Sequence, residues 1–453
     1  MKKIIRGFFC ILFLLLPMLT TYAEENTGPA VDMSLHATAA VLMDADSGRV
    51  LYGKNADQPM AMASTTKIMT CIILLERTSP DDVLTVSEYA SGMPKVKLCL
   101  KKGEQYTVRD LLYSLMLESH NDSAVALAEY VGKQFLSDEL KNKPTEQYTT
   151  EESRQAVSAF AKLMNEKAVE LGCEHTWFIT PNGLDATQEF TLQDGTVIRK
   201  EHCTTASELA RIMAYCIGES PARENFLEIT GTANYCFSAN GRNFACSNHN
   251  AFLNMMDGAL SGKTGFTNKA GYCYVGALER DGRTFVVTLL ACGWPNNKTW
   301  KWSDTKELMQ YGIDNFFYRS FSEKGTAFDE NCLKAIPVKN GRTNILGETA
   351  YTDIEIKGRR NSEDGGMDIV AVGTDQRNRE GILLREDEEI CVEYQVQKIL
   401  EAPVESGREV GSIEYSVDGA VYLREKIVTV DSIEKIDYLW CLEEILCRYF
   451  LIK

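Results

Sequence analysis

The sequence predicts an α+β domain, then a smaller all-β unit and a terminal amphipathic helix. Three observations carry this: hairpin patterns at both ends of the first 320 residues, helical periodicity between them, and short alternating stretches after about residue 321.

Residues 1–23 stand apart from the fold. Lys2, Lys3 and Arg6 make a basic start, residues 8–16 are an unbroken apolar run, and Thr21, Tyr22 and Ala23 precede Glu24. This is the pattern of a secretory signal peptide cleaved after Ala23, and the run is short for the ~20 residues of a membrane span. Residues 38–53 read as a hairpin around the turn-rich Asp44, Ala45, Asp46, Ser47, Gly48 and Arg49. Helical patterns open at Ser64, follow Thr107 with Asp110 three residues on, and run over 122–131, 154–171 and 205–217. A second hairpin turns at Arg280, Asp281, Gly282 and Arg283, completing a domain over 24–320. In 321–430, alternating stretches at 335–338, 352–356, 390–396 and 427–430 predict an all-β domain containing a polar loop at 358–366. In 431–453, from Ile433 on, Tyr438, Leu442, Ile445 and Tyr449 share a helical face flanked by Leu439, Leu446 and Phe450, with Asp437, Glu444 and Arg448 opposite. That helix is too charged to span a bilayer and is expected to lie on a membrane surface, the alternative being a helix docked on the β domain or a partner.

Composition narrows the function. With 48 Lys+Arg against 64 Asp+Glu the net charge is −16, which lacks the basic footprint of a nucleic-acid binder. The five histidines form no H-E-x-x-H pair, and no metal or cofactor is expected. The fourteen cysteines include no C-x-x-C pair, so they read as core thiols, as with Cys71 and Cys292, and not as a disulfide framework or zinc site.

The chemistry centres on Ser64, Thr65, Thr66 and Lys67. An S-x-x-K spacing on a helix puts the lysine amine one turn from the serine hydroxyl, where a desolvated amine can take its proton. The pattern recurs at 303–306 and 432–435, but only the first leads into a dense apolar run, from Ile68 to Leu75, that predicts a buried helix. The other two read as capped or solvated surface helices. Ser119, His120 and Asn121 offer a second hydroxyl and an amide, for proton relay and substrate hydrogen bonding. Lys263, Thr264 and Gly265 precede the second hairpin's first strand, where a glycine admits a ligand to a strand edge and Lys263 and Thr264 can bind a carboxylate.

S-x-x-K, S-x-N and K-T-G in this order resemble the D-alanyl-D-alanine carboxypeptidases, low-molecular-mass penicillin-binding serine peptidases. Met62 to Thr70 matches that family's nucleophile box, Ser119 to Asp122 its second and Lys263 to Tyr272 its third; the stretches at 44–48, 181–185 and 336–341 add support. The resemblance implies a β-lactamase/transpeptidase-like catalytic domain and a terminal helix that carries a membrane anchor. It also implies acyl transfer from a peptidoglycan stem peptide ending in D-Ala-D-Ala, with Ser64, Lys67 and Ser119 catalytic. Asn121, Lys263, Thr264 and Gly265 would bind substrate, and β-lactams would inhibit. Such an enzyme would act on the outer face of the bacterial cytoplasmic membrane or in the wall. Two positions depart from the pattern: Phe266 replaces a histidine that some relatives carry, and Lys301 stands in for a carboxylate-binding arginine. The alternatives are a β-lactamase, for which no deacylating glutamate can be assigned, and a non-catalytic wall-binding protein, which the intact boxes oppose.

Overall fold

The computed structural model describes residues 33–191, 195–323, 327–345, 347–358 and 381–450; the predicted signal peptide and residues 359–366 of the predicted polar loop lie outside them. β1 (Ala39–Asp44) and β2 (Val50–Lys54) form the first hairpin. A 3₁₀ turn, Ala63–Thr66, feeds α1 (Lys67–Arg77), which is buried from Lys67 to Leu74. β3 (Val83–Thr85), the short α2 (Glu88–Ser91) and β4 (Gln105–Thr107) lead to α3 (Val108–Leu117), which begins where Thr107 Oγ1 accepts the Asp110 N–H. After α4 (Asn121–Gly132) and α5 (Asp138–Asn142), α6 (Thr150–Glu170) starts ahead of the predicted 154 because Thr149 and Glu152 cap it reciprocally. β5 (Thr187–Thr191) pairs with β6 (Val197–Glu201), and Thr205 caps α7 (Ala206–Ile217). α8 (Arg223–Gly231) and the hairpin of β7 (Asn234–Ala239) and β8 (Arg242–Ser247) are elements that the periodicity did not announce. β9 (Ala259–Thr267), β10 (Gly271–Arg280), β11 (Arg283–Leu290) and α9 (Trp300–Asn315) complete the unit.

The five-stranded sheet runs β2-β1-β11-β10-β9, with β1 laid antiparallel on β11 from Ala39↔Leu290 to Asp44↔Phe285. Sequence-distant ends thus share the middle of the sheet, and β9 is left at its edge. Val41, Met43, Cys273 and Val275 point to one face and pack with α1, α3, α4, α6 and α7; Leu42, Tyr274, Phe285 and Val287 point to the other and pack with α9. α1 is the centre of the helical layer, with Ile68, Met69 and Ile72 fully buried. Each such side chain contributes about 1.5–3 kcal/mol. Of the thirteen described cysteines, all free, six are buried (Cys71, Cys173, Cys216, Cys246, Cys273, Cys292), while Cys99, Cys236, Cys332 and Cys391 are exposed, so core packing accounts for only part of the set.

The second unit contains β12 (Phe317–Ser320), β13 (Ile336–Lys339), β14 (Ala350–Thr352), β15 (Ile354–Ile356), β16 (Gly381–Leu384), β17 (Cys391–Val396), β18 (Leu400–Glu401), β19 (Glu409–Val417) and β20 (Ala420–Thr429). They form sheets ordered β15-β20-β19-β17 and β14-β13-β18, with β12 paired to β16. The predicted 352–356 strand divides at Asp353, and its halves join different sheets.

The terminal segment corrects one expectation. Residues 432–435 are extended, not helical: Ile433 bridges Val404 and Lys435 bridges Gly341. Arg342 holds Glu434 and Asp437, and Asp437 Oδ1 accepts the Trp440 N–H, so α10 (Tyr438–Phe450) begins only there. Pairing to a distant loop outweighs the local helical pattern. No helix among the described residues is long and apolar enough to cross a membrane.

The turn of the first hairpin joins the two units. Arg49 donates to both carboxylate oxygens of Glu388, at 2.6 and 2.9 Å, and to the Leu383 carbonyl at 2.7 Å, while Leu383 packs into the α9-side core. Both charged side chains are under a tenth exposed. Glu388 also has Arg385 at 3.1 Å, whereas among the described residues Arg49 has no second carboxylate closer than Asp418 at 3.9 Å. Removing the acid therefore costs more than removing the base. Glu388→Ala should lower the unfolding free energy by about 3–5 kcal/mol, as for an uncompensated buried charge, and Arg49→Met by less. Urea midpoints of the two variants check the order.

Candidate active site

The 3₁₀ turn sets Ser64 on the rim of the helical layer and Lys67 beneath it. Ala63 has φ +49, an uncommon conformation for a non-glycine residue and one that turns the chain sharply into α1. Lys67 Nζ lies 2.9 Å from Ser64 Oγ, 3.0 Å from Asn121 Oδ1 and 2.5 Å from the Asn182 carbonyl. Burial, with the charge of Lys263 nearby, pushes the Lys67 amine well below the ordinary lysine value, against the opposing pull of Asp122. A neutral amine has two N–H donors and one lone pair. In that form the two amide oxygens, which can only accept, take the donors and leave the lone pair open to the Ser64 hydroxyl proton, whereas the ammonium form donates to Ser64 Oγ as well.

Asn182 comes from a loop pressed against the turn. A Cβ on Gly183 (φ +81) would lie 2.0 Å from the Ala63 carbonyl oxygen, so only glycine lets the loop approach. His202 fastens the two. Its Nδ1 accepts the Ile179 N–H at 2.9 Å, which places the ring proton on Nε2, 2.8 Å from Thr66 Oγ1; that hydroxyl in turn donates to the Ala63 carbonyl. Thr70 Oγ1 adds a bond to the Pro181 carbonyl. Asn182 and His202 were not singled out as site residues in the sequence. The stretch at 181–185 marked the loop, but a backbone carbonyl has no side-chain signature.

Ser119 and Asn121 arrive on the turn between α3 and α4, where Ser119 has φ +64. Asn121 Oδ1 holds Lys67 and its Nδ2 donates to the Pro94 carbonyl at 3.3 Å. Ser119 Oγ is buried without a hydrogen-bond partner among the described residues, so no bond joins it to Ser64 or Lys67. Beside them the buried Asp122 carboxylate accepts the Leu98, Leu100 and Ser123 N–H groups.

Lys263, Thr264 and Gly265 lie inside the edge strand β9 and precede β10, the first strand of the second hairpin. Lys263 pairs with Val275 and Gly265 with Cys273, on the helical side, while Thr264 pairs with Tyr274 on the α9 side. A Cβ on Gly265 would lie 2.8 Å from the Ser64 nitrogen, so its absence lets the Ser64 amide stand against the strand. Burial brings the Lys263 amine down to about 7. Lys301, in the first turn of α9, is buried on the α9 side; it donates to the Lys298 carbonyl and lies 4.8 Å from the Tyr272 ring and 4.7 Å from Trp302. Phe266 is partly exposed and packs against Tyr272. Of the other S-x-x-K serines, Ser303 bonds its own helix at the Trp300 carbonyl, and Ser432 lies in the extended terminal segment.

The family model for D-alanyl-D-alanine carboxypeptidase, peptidase family S11, matches residues 24–137 and 153–291, more than half of the chain. The chain belongs to this family. It is 24% identical over 446 residues to the D-alanyl-D-alanine carboxypeptidase DacF of Bacillus subtilis, spanning 97% of this chain and 96% of that protein. Against the D-alanyl-D-alanine carboxypeptidase DacC of Escherichia coli, identity is 28% over 440 residues, spanning 94% and 90%. Penicillin binding protein 5 from Haemophilus influenzae shares the fold with TM-score 0.62 at 22% identity, over 90% of this chain and 100% of that one. DacD from Francisella tularensis does so with TM-score 0.59 at 20% identity, over 90% and 96%. The α+β reading of the catalytic unit and the serine-type hydrolase class thus hold for this family member.

The His202 clamp leads to a pH prediction. Burial lowers the His202 imidazole to about 3, below the ~6.5 of an unfolded chain. Its contribution to stability is full above pH 6.5 and is lost as pH falls from there toward 3, because only the unfolded chain takes up the proton. The slope from this one group approaches about 1.4 kcal/mol per pH unit. His202→Gln should therefore be less stable than the parent at neutral pH yet lose stability more slowly on acidification. Urea unfolding at pH 7, 6 and 5 measures the difference, and parallel curves would exclude His202 as the titrating clamp.

Proposed function

We propose that this chain removes the terminal D-alanine from peptidoglycan stem peptides ending in D-Ala-D-Ala, through an acyl-enzyme on Ser64. The observation that carries the reading is the Ser64 hydroxyl 2.9 Å from a buried amine whose donors are taken by Asn121 and Asn182. Ser64 Oγ attacks the carbonyl carbon between the two D-alanines and its proton passes to the Lys67 lone pair. The Ser64 N–H and the outer edge of β9 receive the oxyanion. Ser119, whose hydroxyl has no competing partner among the described residues, carries the proton on to the departing amine. Water then attacks the ester, Lys67 again takes a proton, and the Ser64 hydroxyl returns.

Asn121 positions Lys67, and its remaining N–H is available to the peptide. Lys263 and Thr264 receive the substrate's terminal carboxylate, with Gly265 admitting it to the edge. Lys301, engaged by Lys298 and two rings, adds positive field from the α9 side more than a direct contact. β-Lactams acylate Ser64 in the same way.

The exported location and the membrane contact belong to this proposal. On α10, Tyr438, Leu439 and Tyr449 are each more than 70% exposed, and Leu442, Ile445 and Leu446 are exposed beside them. An apolar face of this size is suited to the headgroup boundary, where even partial burial at about 1.5–3 kcal/mol per large side chain would hold the protein.

Incubation with a diacetylated tripeptide ending in D-Ala-D-Ala should release D-alanine. Ser64→Ala should abolish both this release and covalent penicillin labelling, and Lys67→Ala should slow acylation about 10²–10⁴-fold. Labelling mapped to any other serine would overturn the assignment. Truncation after Ser432 should free the protein from membranes and leave D-alanine release from soluble peptide intact; a truncated protein that still sediments with vesicles would overturn the anchor.

A further inference from the structure

A cleft of about 580 Å³ lies between α6, the 177–180 segment and the β5–β6 hairpin, with Tyr89 of α2 at one end. Its lining is uncommon for this chain. Although acids outnumber bases by 64 to 48 overall, no Asp or Glu lines the cleft among the described residues, and Arg154 and Lys162 stand exposed along it. Its apolar surface combines aliphatic residues of α6 with the rings of Tyr89, Trp177, Phe178 and Phe190. Trp177 and Phe190 meet edge to face with centroids 5.8 Å apart, and the Lys200 ammonium lies 4.0 Å from the Trp177 ring. Lys162 has Glu166 only at 3.8 Å across an exposed pair, which takes little of its charge.

Both walls are close along the chain to residues of the catalytic centre. Thr180 is two residues from Asn182, whose carbonyl holds Lys67, and the helix of Tyr89 leads to Pro94, whose carbonyl holds Asn121. A stem peptide held at Ser64 extends roughly 3.3–3.6 Å per residue, so the sugar at its far end must settle some four or five residues away.

We propose that this cleft binds the amino-sugar end of the substrate, an N-acetylated disaccharide carrying an acidic stem peptide. The apolar C–H face of a sugar ring lies on Trp177 and Phe190, while Arg154 and Lys162 face the carboxylates of the stem. This deepens the carboxypeptidase reading and rests on it for the substrate's identity.

The test uses the full chain and a probe lacking the two D-alanines: an N-acetylated disaccharide bearing the acidic stem tripeptide, titrated by calorimetry. Trp177→Ala, and separately the double variant Arg154→Glu with Lys162→Glu, should each weaken binding by about tenfold. The double variant alters only exposed side chains, so it keeps a folded control should Trp177→Ala unfold. The tripeptide without sugar should bind the parent more weakly and be indifferent to Trp177→Ala. D-alanine release from the short diacetylated tripeptide should be unchanged in both variants. Equal binding of the disaccharide probe by parent and variants, or a loss from Trp177→Ala that is equal with and without the sugar, would overturn the proposal. Failure of the parent to release D-alanine would instead count against the carboxypeptidase reading, with the titration still judging the cleft.

Discussion

Lys67 is fully buried in the first turn of α1. Burial penalises its ammonium form and the charge of Lys263 adds to that, which holds the amine well below the ordinary lysine range. A neutral amine in such a place still needs acceptors for two N–H groups, and the surrounding chain supplies them as Asn121 Oδ1 and the Asn182 carbonyl. Much else about the site follows from that requirement. The 181–183 loop must press on the turn, which demands glycine at 183; His202 must hold the loop there; and Ser119 must adopt a left-handed conformation to bring Asn121 within reach.

The sheet's order provides the other half of the centre. Because β1 is laid between β2 and β11, β9 is left as an edge strand. An uncovered edge is ordinarily a hazard, since its backbone groups invite pairing with other chains. Here the turn carrying Ser64 comes close to that edge, and Gly265 keeps a side chain out of the gap. The pleat then divides the K-T-G triplet between two faces: Lys263 and Gly265 lie on the helical side, and Thr264 on the α9 side. An edge is where both faces can meet one extended peptide.

The two units are coupled through few but buried contacts. Arg49, at the turn of the first hairpin, reaches into the β domain, and Leu383 returns into the catalytic core. At the far end Arg342 fastens the start of α10, whose exposed apolar face points away from the β sheets. Hairpin turn, β domain and terminal helix form a connected series, so a surface that held α10 would also set the height of Ser64 above it.

Much of this was readable from local sequence. Thr107 and Thr205 cap helices where the residues three positions on call for it, the apolar run after Lys67 is a buried helix, and the three boxes carry the family. A cap or an amphipathic period involves residues within a turn or two, so its energetics are written in neighbouring letters. The placement of K-T-G inside an edge strand, the Asn182 carbonyl as a lysine partner, the His202 clamp and the extended 432–435 segment were not readable in that way. Each depends on segments that meet only after the chain has closed, from Ala63 with Gly183 to Gly341 with Lys435. Backbone groups, which carry no letter of their own, do the bonding in several of them, and the folded packing alone selects which backbone group stands beside which side chain.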